Sequence, residues 1–408
     1  MKTLFLAHRL PYPPNKGDKI RSYHLLRFLL RQGPVYLGTL IDDPRDRQYL
    51  SNLKQLCDHN YVAPLDVHLR KPLSVFAHLV AQPASVRYFY NQRLQLWVDR
   101  ILSTENIELV FCFSSTMAEY LFRSRFRDRL KAKRIRLLMD FCDVDSRKWL
   151  DYGKIKPWLH AVFFQREGRL LHAYEQRIAD FFDVCYLASS REKTVFDQEH
   201  SGANSNIRVL ENGVDLDFFS LGETKKNVSS APKIVFTGAM DYDVNIDGVC
   251  WFVREIWPYI KREIPTSRFY IVGSNPTADV QKLENVEGVQ VTGYVDDIRK
   301  YYRKADLCVA PLRIARGIQN KVLEAMAMSR PVVCTSNAFE GIVARPGHDL
   351  LVVDQARQFA AEVVRLLLDK GNREKLARNG RACIERHYRW SKRLAILAKD
   401  FPGQECDS

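Results

Sequence analysis

The segment "RGIQNKVLEAMA", which begins at Arg316, holds the residues whose types and spacing point most directly to chemistry. It follows the apolar run "LCVAPL", and Gly317 allows a tight turn from that strand into a helix. The N–H groups and dipole of a helix start suit an anionic diphosphate, and Arg316 and Lys321 add positive charge there. The segment therefore predicts a diphosphate site. The alternative is that Lys321 and Glu324 pair at i,i+3 on an exposed helix.

Glycines at strand ends extend this site. The apolar runs "KIVFTG" and "RFYIVG" end at Gly238 and Gly273. Ligands of parallel sheets bind outside the carboxyl ends of the strands, and glycine lets the backbone approach them. Asn212 stands in "LENGVD", where the Asn-Gly pair predicts a turn. We expect that turn at the hinge between two domains.

The N-terminal half carries a second set of candidates. His8 ends the first apolar run, and Gly17 opens the following loop "PPNKGDKIRS". Lys16, Lys19 and Arg21 bring positive charge to the next helix start. The functional interpretation makes His8 a catalytic residue and the loop a phosphate or acceptor contact. The alternatives are a structural histidine and a solvated turn.

Three carboxylates follow another strand, in "MDFCDVDS". Carboxylates at this position suit the binding of hydroxyl groups of a substrate that accepts the transferred group, and the residues are Asp140, Asp143 and Asp145. Asp140 is the candidate base. The three carboxylates suit capping of the following helix equally well. The ten histidines are scattered, and none pairs with a cysteine at ligand spacing, so we expect no zinc site.

Strand and helix patterns alternate along the whole chain. Continuous apolar runs are typical of buried parallel strands, and their alternation with helices predicts doubly wound α/β sheets. The predicted strands are 3–8, 35–40, 61–65, 109–114, 136–143, 184–189, 233–238, 268–273, 289–294, 307–312, 331–336 and 350–354, with helices at 20–32, 157–180, 321–328 and 359–369.

The length of 408 residues fits two domains of about 200 residues each. We place the first domain at 1–208 and the second at 209–385. A helix at 386–408 is expected to belong to the second domain or to pack back on the first.

Charge and cysteine content limit the partners and the compartment. The net charge of +14 attracts polyanions, and the nine cysteines form no C-x-x-C pair, as expected for reduced cytosolic thiols. The N-terminus does not have the pattern of a signal peptide, and no apolar stretch approaches the roughly 20 residues that span a bilayer. We therefore expect a cytoplasmic protein, peripheral on the inner membrane at most.

A known family is similar in order to several of these segments. "IRVLENGVDLDFF", "IVFTGAMDYDVNIDG", "FYIVGSNP", "VTGYVDDIRKYYRKADLCVAPL" and "GIQNKVLEAMAMSRPVV" resemble the retaining glycosyltransferases of family 4. "HRLPYPPNKGDKIRSYHLL" and "MDFCDVDSRKW" resemble the subgroup associated with PEP-CTERM/exosortase exopolysaccharide systems. The resemblance implies the GT-B architecture, in which two Rossmann-like domains face a central cleft. The domain at 1–208 would bind the acceptor, and the domain at 209–385 would bind the nucleotide sugar.

The resemblance also implies the substrates and the site. The donor would be a nucleotide sugar and the acceptor a glycan or a lipid-linked glycan, with no metal or cofactor. Ile318 and Gln319 would contact the donor, and Glu324 would bind the ribose hydroxyls. A second family glutamate would fall on Arg316, where an arginine would pair with phosphate or with a carboxylate-bearing sugar.

The family's phosphate-binding Arg and Lys are replaced by Ala239 and Asn245. The phosphate charge would then rest on Arg316, Lys321 and Arg313, while Asn245 is either a site residue or a helix N-cap. The leaving phosphate oxygen would take the acceptor proton on the retained face, so that no dedicated protein base is required.

A basic stretch at 122–136 suggests an anionic membrane surface, because apolar residues interleave its charges. The alternative is a solvated helix. Its basic residues are Arg123, Arg125, Arg127, Arg129, Lys131, Lys133, Arg134 and Arg136.

Three other functions compete. A nucleotide-sugar epimerase shares the two-domain architecture but needs several acids and bases and no acceptor site. A non-catalytic regulatory module is suggested by Arg316. A nucleic-acid binder is suggested by charge alone, and no helix-turn-helix, RNP or zinc pattern accompanies it, so we expect no nucleic-acid partner.

Overall fold

The computed structural model describes residues 1–14, 16–65, 81–132, 135–155, 158–200, 206–220, 231–315 and 317–402. The chain divides into two compact units. Unit 1 is Met1–Glu211 together with the chain from Arg393 onward, and unit 2 is Asn212–Lys392. The first division falls after the position expected at 208, because a short strand at 207–209 completes the sheet of unit 1.

Unit 1 is built on a seven-stranded sheet whose strand order is β3-β2-β1-β4-β5-β6-β7, and every pairing is parallel. The strands are β1 Thr3–Ala7, β2 Val35–Ile41, β3 Asn60–Pro64, β4 Leu109–Phe113, β5 Arg136–Cys142, β6 Val184–Leu187 and β7 Ile207–Val209.

Unit 2 is built on a six-stranded parallel sheet of order β10-β9-β8-β11-β12-β13. The strands are β8 Lys233–Thr237, β9 Arg268–Val272, β10 Val289–Val291, β11 Leu307–Ala310, β12 Val332–Cys334 and β13 Leu351–Val352. In both sheets the order reverses beside the first strand of the unit, which is the Rossmann arrangement. The predicted doubly wound α/β class is therefore confirmed.

Helices connect the strands in both units. Those of unit 1 are Gly17–Leu30, Leu50–Leu56, Ala84–Phe89, Gln92–Thr104, Glu119–Phe122, Arg127–Ala132, Asp145–Ile155, Trp158–Phe181 and Ser190–Glu199. Those of unit 2 are Asp243–Trp251, Trp257–Glu263, Ala278–Gln281, Arg299–Lys304, Asn320–Ala327, Ser336–Phe339, Ala356–Leu368 and Lys370–His387, with Trp390–Ala398 running on past Lys392. No helix in the described part of the chain is long and apolar enough to cross a membrane.

Strand register brings the candidate residues to one edge of each sheet. In unit 1 Ala7 is level with Phe113, and Phe113 is level with Asp140. In unit 2 Thr237 is level with Val272. Residues that follow these strands therefore collect at the carboxyl edge, where parallel sheets bind ligands.

The end of the chain is part of unit 1. The carboxylate of Asp400 accepts hydrogen bonds from the Tyr186 hydroxyl, at 2.5 Å, and from the Arg208 guanidinium. Its backbone carbonyl accepts a bond from Arg136 Nε at 3.0 Å. The chain re-enters unit 1 at Arg393, which lies within the helix Trp390–Ala398. We had placed the start of this C-terminal segment at 386.

A buried ion pair ties the first helix of unit 1 to its central sheet. Asp140 has no exposed surface, and its two oxygens accept bonds from Arg21 Nε at 2.7 Å and Arg21 Nη2 at 3.0 Å. The Cys142 amide donates a third bond, at 3.0 Å. Both predicted roles of Asp140, acceptor ligand or base and helix cap, are therefore wrong, because its oxygens are occupied inside the core.

We predict that Arg21→Met lowers the free energy of unfolding by about 3–5 kcal/mol, because it leaves the Asp140 carboxylate buried without its partner. Chemical denaturation measures the change. Arg45→Met is the matched control, since Arg45 pairs with Asp43 at the surface and is 75% exposed. Its loss should cost less than about 1 kcal/mol, and equal losses for the two variants would contradict the prediction.

Candidate functional site

Two glycines approach each other closely at the carboxyl edge of the unit 2 sheet. A Cβ atom on Gly273 would lie 1.6 Å from the carbonyl oxygen of Gly238, so only glycine fits there. The Gly238 amide donates to the carbonyl of Val272 at 3.0 Å. A Cβ on Gly238 would lie 2.7 Å from Asn245 Nδ2. The loops after β8 and β9 are therefore packed against each other with backbone atoms at their surface.

The turn at Gly317 leads into the helix Asn320–Ala327. Gly317 has a φ of +66°, in the left-handed region that favours glycine. Ile318 lies beside Gly341, and Gln319 occupies the N-cap position without a capping side-chain bond. Gln319 Nε2 donates instead to the Gly317 carbonyl at 3.1 Å. The helix thus begins without a side-chain cap, while Arg316 lies outside the described residues.

Lys321 is held by an amide side chain. Its Nζ donates to Asn245 Oδ1 at 2.5 Å and lies 4.6 Å from the centre of the Phe236 ring. Asn245 Nδ2 donates to the carbonyl of Ala239 at 2.8 Å. Asn245 therefore connects Lys321 to the loop after β8. The N-cap interpretation of Asn245 is wrong, because the helix Asp243–Trp251 is preceded by Tyr242.

Glu324 is held by a different partner from that of Lys321. Its Oε2 accepts a bond from the Tyr302 hydroxyl at 3.1 Å, and Tyr302 in turn contacts Thr237 Oγ1 at 2.8 Å. Within the described residues, no ion pair joins Lys321 to Glu324 at 4 Å or less. The two side chains are thus oriented separately, and the simple i,i+3 pair that the spacing allowed is not formed.

The surroundings shift the protonation of both groups. Burial lowers the pKa of Lys321 to about 7, although the nearby Glu324 carboxylate acts in the opposite direction. Burial raises the pKa of Glu324, against the effects of the Tyr302 hydroxyl and of Lys321. A dianionic ligand beside Lys321 would restore its charge, so the site is suited to an anion.

Two other predicted donor contacts have other partners. Arg313, proposed for phosphate, donates Nε to Asp247 Oδ2 at 3.0 Å on the helix Asp243–Trp251. Asn212 is the first residue of unit 2, and the adjacent Gly213 packs against Trp390, whose Cδ2 would lie 2.7 Å from a Cβ there. The predicted Asn-Gly turn is not formed, because residues 211–213 belong to no turn and the nearest turn lies at 216–218; Gly213 packs instead against the start of the helix Trp390–Ala398.

His8 lies at the carboxyl edge of the unit 1 sheet and is 8% exposed. Its ring stacks on Phe113, with centres 5.7 Å apart, and meets Phe89 edge-on at 5.2 Å. His8 Nε2 lies 3.5 Å from Asp18 Oδ2, which also accepts a bond from Arg9 Nη1 at 2.7 Å. The ring is thus fixed by aromatic packing and faces a carboxylate.

The loop before the first helix supplies less charge than its sequence suggests. Gly17 is the exposed first residue of the helix Gly17–Leu30. Lys19 Nζ binds Asp46 Oδ2 at 2.5 Å, and both side chains are buried. Arg21 is committed to Asp140. Lys16 keeps an exposed position at the N-cap.

Sequence reasoning missed two strained residues at this edge. Ser114 and Cys142, which follow β4 and end β5, have φ values of +78° and +65°. Non-glycine residues in this region cost free energy and cluster at functional sites. Nearby, Ser115 Oγ donates to Asp145 at 3.4 Å, and burial raises the pKa of Asp145 to about 7. No glycine or asparagine marked either strained position in the sequence.

The apolar residues of the basic stretch 122–136 face the core. Leu121, Phe122 and Leu130 are buried. Arg127 lies over the Phe122 ring at 5.8 Å, and Arg123 Nε donates to Glu119 at 2.5 Å. Lys133 and Arg134 lie outside the described residues. The described part of the stretch thus presents exposed charge, while its apolar side chains are used inside unit 1.

Metal ligation has no evident place in the described residues. No group of three or more His, Cys, Asp or Glu side chains there is arranged so that it could hold a metal ion.

We predict that Gly273→Ala lowers the free energy of unfolding of unit 2 by about 2 kcal/mol or more, because its Cβ collides with the Gly238 carbonyl. Thermal and denaturant unfolding measure the loss. Gly371→Ala is the control, since its helical position is open and the nearest atom would lie 3.4 Å away. That variant should gain up to about 1 kcal/mol. A Gly273→Ala protein as stable as the control would show that the loops are not packed as described.

Comparison with known proteins gives a family match and a distant relative. The sequence model of the family described as "Glycosyl transferases group 1" matches residues 231–369. An uncharacterised 44.6 kDa protein in the cps region of Klebsiella pneumoniae is 21% identical over 410 residues, covering 98% of this chain and 99% of that protein.

Solved structures share the fold of the whole chain. Anabaena HepE in complex with UDP-glucose superposes with a TM-score of 0.65 at 14% identity, covering 98% of each chain. WaaG, a glycosyltransferase involved in lipopolysaccharide biosynthesis, gives 0.67 at 14% identity, covering 98% of this chain and 100% of that one. These findings place a group 1 glycosyltransferase domain at residues 231–369, within unit 2, and show that the chain has the GT-B fold, which together support a transferase enzyme.

Proposed function

We propose that the chain transfers a sugar from a nucleoside diphosphate donor to a glycan acceptor, with retention of anomeric configuration, during polysaccharide assembly. One observation carries the proposal. Lys321 and Glu324 stand one turn apart at the uncapped start of the helix Asn320–Ala327, each held by a different partner, Asn245 or Tyr302. A cation beside the start of a helix that has no side-chain cap fits a diphosphate, and a carboxylate one turn later fits a pair of hydroxyls.

The relatives support the choice of substrates. HepE has been crystallised with UDP and with UDP-glucose, so a uridine nucleotide sugar is the first donor to test. The Klebsiella relative is encoded in a cps region, which favours an exopolysaccharide role. WaaG is involved in lipopolysaccharide biosynthesis, which supports a lipid-linked acceptor at the cytoplasmic side of a membrane.

Charge stabilisation of the leaving diphosphate is the main catalytic task in this proposal. Lys321, the amides after Gly317 and Arg316 would hold the phosphate oxygens. Arg316 would instead bind a carboxylate if the donor sugar carries one. As the bond from the anomeric carbon breaks, the leaving phosphate oxygen would take the acceptor proton on the same face. Neither a metal ion nor a cofactor is needed for this scheme.

The acceptor would bind at the carboxyl edge of unit 1. Ser114 and Cys142 hold strained backbone there, and Asp145 carries a carboxyl group whose pKa is about 7. His8 is fixed beside them by Phe113 and Asp18. These groups offer hydroxyl, carboxyl and imidazole partners for sugar hydroxyls. Asp143, which is exposed, adds a further carboxylate.

We predict that Lys321→Ala lowers kcat/KM for sugar transfer by about 10²–10³, because it removes the cation at the leaving group. Glu324→Gln should mainly raise KM for the donor, since it weakens ribose binding. Radiolabelled donor and separated products measure both effects. Lys282→Ala is the control, because Lys282 is exposed and pairs with Asp279 away from the site.

The product distinguishes the competing function. A transferase releases nucleoside diphosphate and yields a glycosylated acceptor, whereas an epimerase changes the sugar without any acceptor. Full turnover by the Lys321→Ala protein would remove the basis of the proposed site.

Nucleotide affinity should fall as the pH rises above 7. The pKa of Lys321 is about 7 in the free protein, and a bound diphosphate raises it. The complex therefore holds more protons than the free protein between these two values, and affinity falls by at most about tenfold per pH unit. Titration calorimetry with UDP from pH 7.5 to 9.5, in two buffers, should show proton uptake. This pH range lies above the pKa of the terminal phosphate, which is about 6.

Lys321→Arg is the matched control for this dependence, because arginine keeps its charge throughout the range. It should bind UDP with nearly constant affinity. If the affinity of the Lys321→Arg protein for UDP depends on pH as that of the wild type does, the titrating group is not Lys321.

A further inference from the structure

Two helices of unit 1 form an antiparallel hairpin. Asp145–Ile155 packs against Trp158–Phe181 through a face of small and aromatic residues. A Cβ on Gly153 would lie 3.0 Å from Gln165 Cγ, and one on Gly168 would lie 2.6 Å from Leu150 Cγ. The rings of Trp149 and Phe164 are 5.3 Å apart. This face of the second helix is therefore covered by the first.

The start of the second helix is apolar but is not packed on the core. Its first nine residues read "WLHAVFFQR", and burial begins only at Glu167, which is 1% exposed. Glu167 anchors the helix by accepting bonds from the amides of Ala84, at 2.7 Å, and Ser85, at 2.9 Å. About 13 Å of helix thus precedes the anchor. Trp158 is 74% exposed and Val162 is 62% exposed.

Basic residues continue the exposed face. Trp158, Val162 and Arg166 are spaced four apart and so share one stripe of the helix, with Arg169 beside them. A groove of about 370 Å³ follows the stripe and is lined by Val162, Gln165, Arg166, Arg169 and Leu170. Its lining contains no carboxylate. We call the surface formed by Trp158, Val162, Gln165, Arg166, Arg169 and Leu170 the hairpin tip.

We propose that the hairpin tip docks on the surface of an anionic lipid bilayer. A tryptophan and a valine would enter the headgroup region, and the arginines would contact lipid phosphates. The basic stretch 122–136 offers exposed charge, but its apolar residues Phe122 and Leu130 are buried. At the hairpin tip, in contrast, large apolar side chains are exposed beside arginines.

The size and charge of the tip favour a bilayer over a protein partner. Two exposed apolar side chains offer roughly 300 Å² at most, whereas stable protein interfaces bury about 1,200 Å² or more. A bilayer does not need such an area, because interfacial burial of one tryptophan adds to the attraction of several arginines for anionic lipids. The inference goes beyond the proposed function, since it requires neither donor nor acceptor.

Co-sedimentation of the full chain with vesicles tests the proposal. Phosphatidylcholine vesicles are compared with vesicles containing about one-third phosphatidylglycerol. We expect binding to the anionic vesicles that weakens with salt. Trp158→Ser with Val162→Ser, and separately Arg166→Gln with Arg169→Gln, should each lower the partition coefficient about tenfold. Brominated acyl chains should quench a fluorescence component that Trp158→Phe removes.

Matched controls separate the tip from surface changes in general. Leu368→Ser removes a side chain that is 72% exposed on unit 2, and Arg254→Gln with Arg262→Gln removes two exposed charges. Both should bind vesicles like the wild type. All variants should keep the UDP-induced thermal shift, so that loss of lipid binding is distinguished from failure of the donor site.

Three results would overturn the proposal. The tip variants could bind anionic vesicles as well as the controls do. Quenching could be unaffected by Trp158→Phe. Light scattering could reveal a dimer without lipid that Trp158→Ser dissociates, which would assign the tip to self-association.

Discussion

Parallel pairing with level strand ends is the constraint on which both candidate edges depend. Because Ala7 is level with Phe113, and Thr237 with Val272, the residues after each strand meet at one edge. In unit 2 the constraint is tight enough to bring the Gly238 carbonyl to where a Cβ of Gly273 would stand. There is no room for a side chain at Gly238 or Gly273, so the loops present backbone at these two positions.

Lys321 illustrates how such an edge prepares a cation for a ligand. An amide, and not a carboxylate, holds its ammonium, so the charge is oriented without being neutralised. Burial then disfavours the charge until an anion arrives. Two positive groups of unit 1, in contrast, are neutralised by carboxylates. Lys19 and Arg21 are paired with Asp46 and Asp140 inside the unit and stabilise the fold.

The sequence predicted the fold well because buried parallel strands are continuous apolar runs. It missed β7, whose three residues form too short a run to stand out. Gly238, Gly273 and Gly317 were identified because glycine marks close backbone approach. The Asn-Gly pair at the start of unit 2 predicted a turn that the structure places at 216–218, whereas Gly213 packs against Trp390, which is far along the chain.

The sequence did not reveal contacts between residues that lie far apart in the chain. Asp140 has a carboxylate side chain that could bind a ligand. Its partner Arg21, however, lies 119 positions away in the chain and occupies both carboxylate oxygens. Asn245 gave no sign that it would hold Lys321, 76 positions later. The strain at Ser114 and Cys142 left no signal, because it arises from tertiary packing and not from residue type. The apolar residues in 122–136 fitted a membrane face and a core face equally well.

The position of Asp400 has a consequence for how the chain is made. Its bonds to Tyr186 and Arg208 can form only after all of Asn212–Lys392 has been synthesised, because Asp400 follows that segment in the chain. Until then unit 1 lacks the carboxylate opposite Arg208. The unit whose strands are translated first therefore receives this contact only after the whole of unit 2 has been translated.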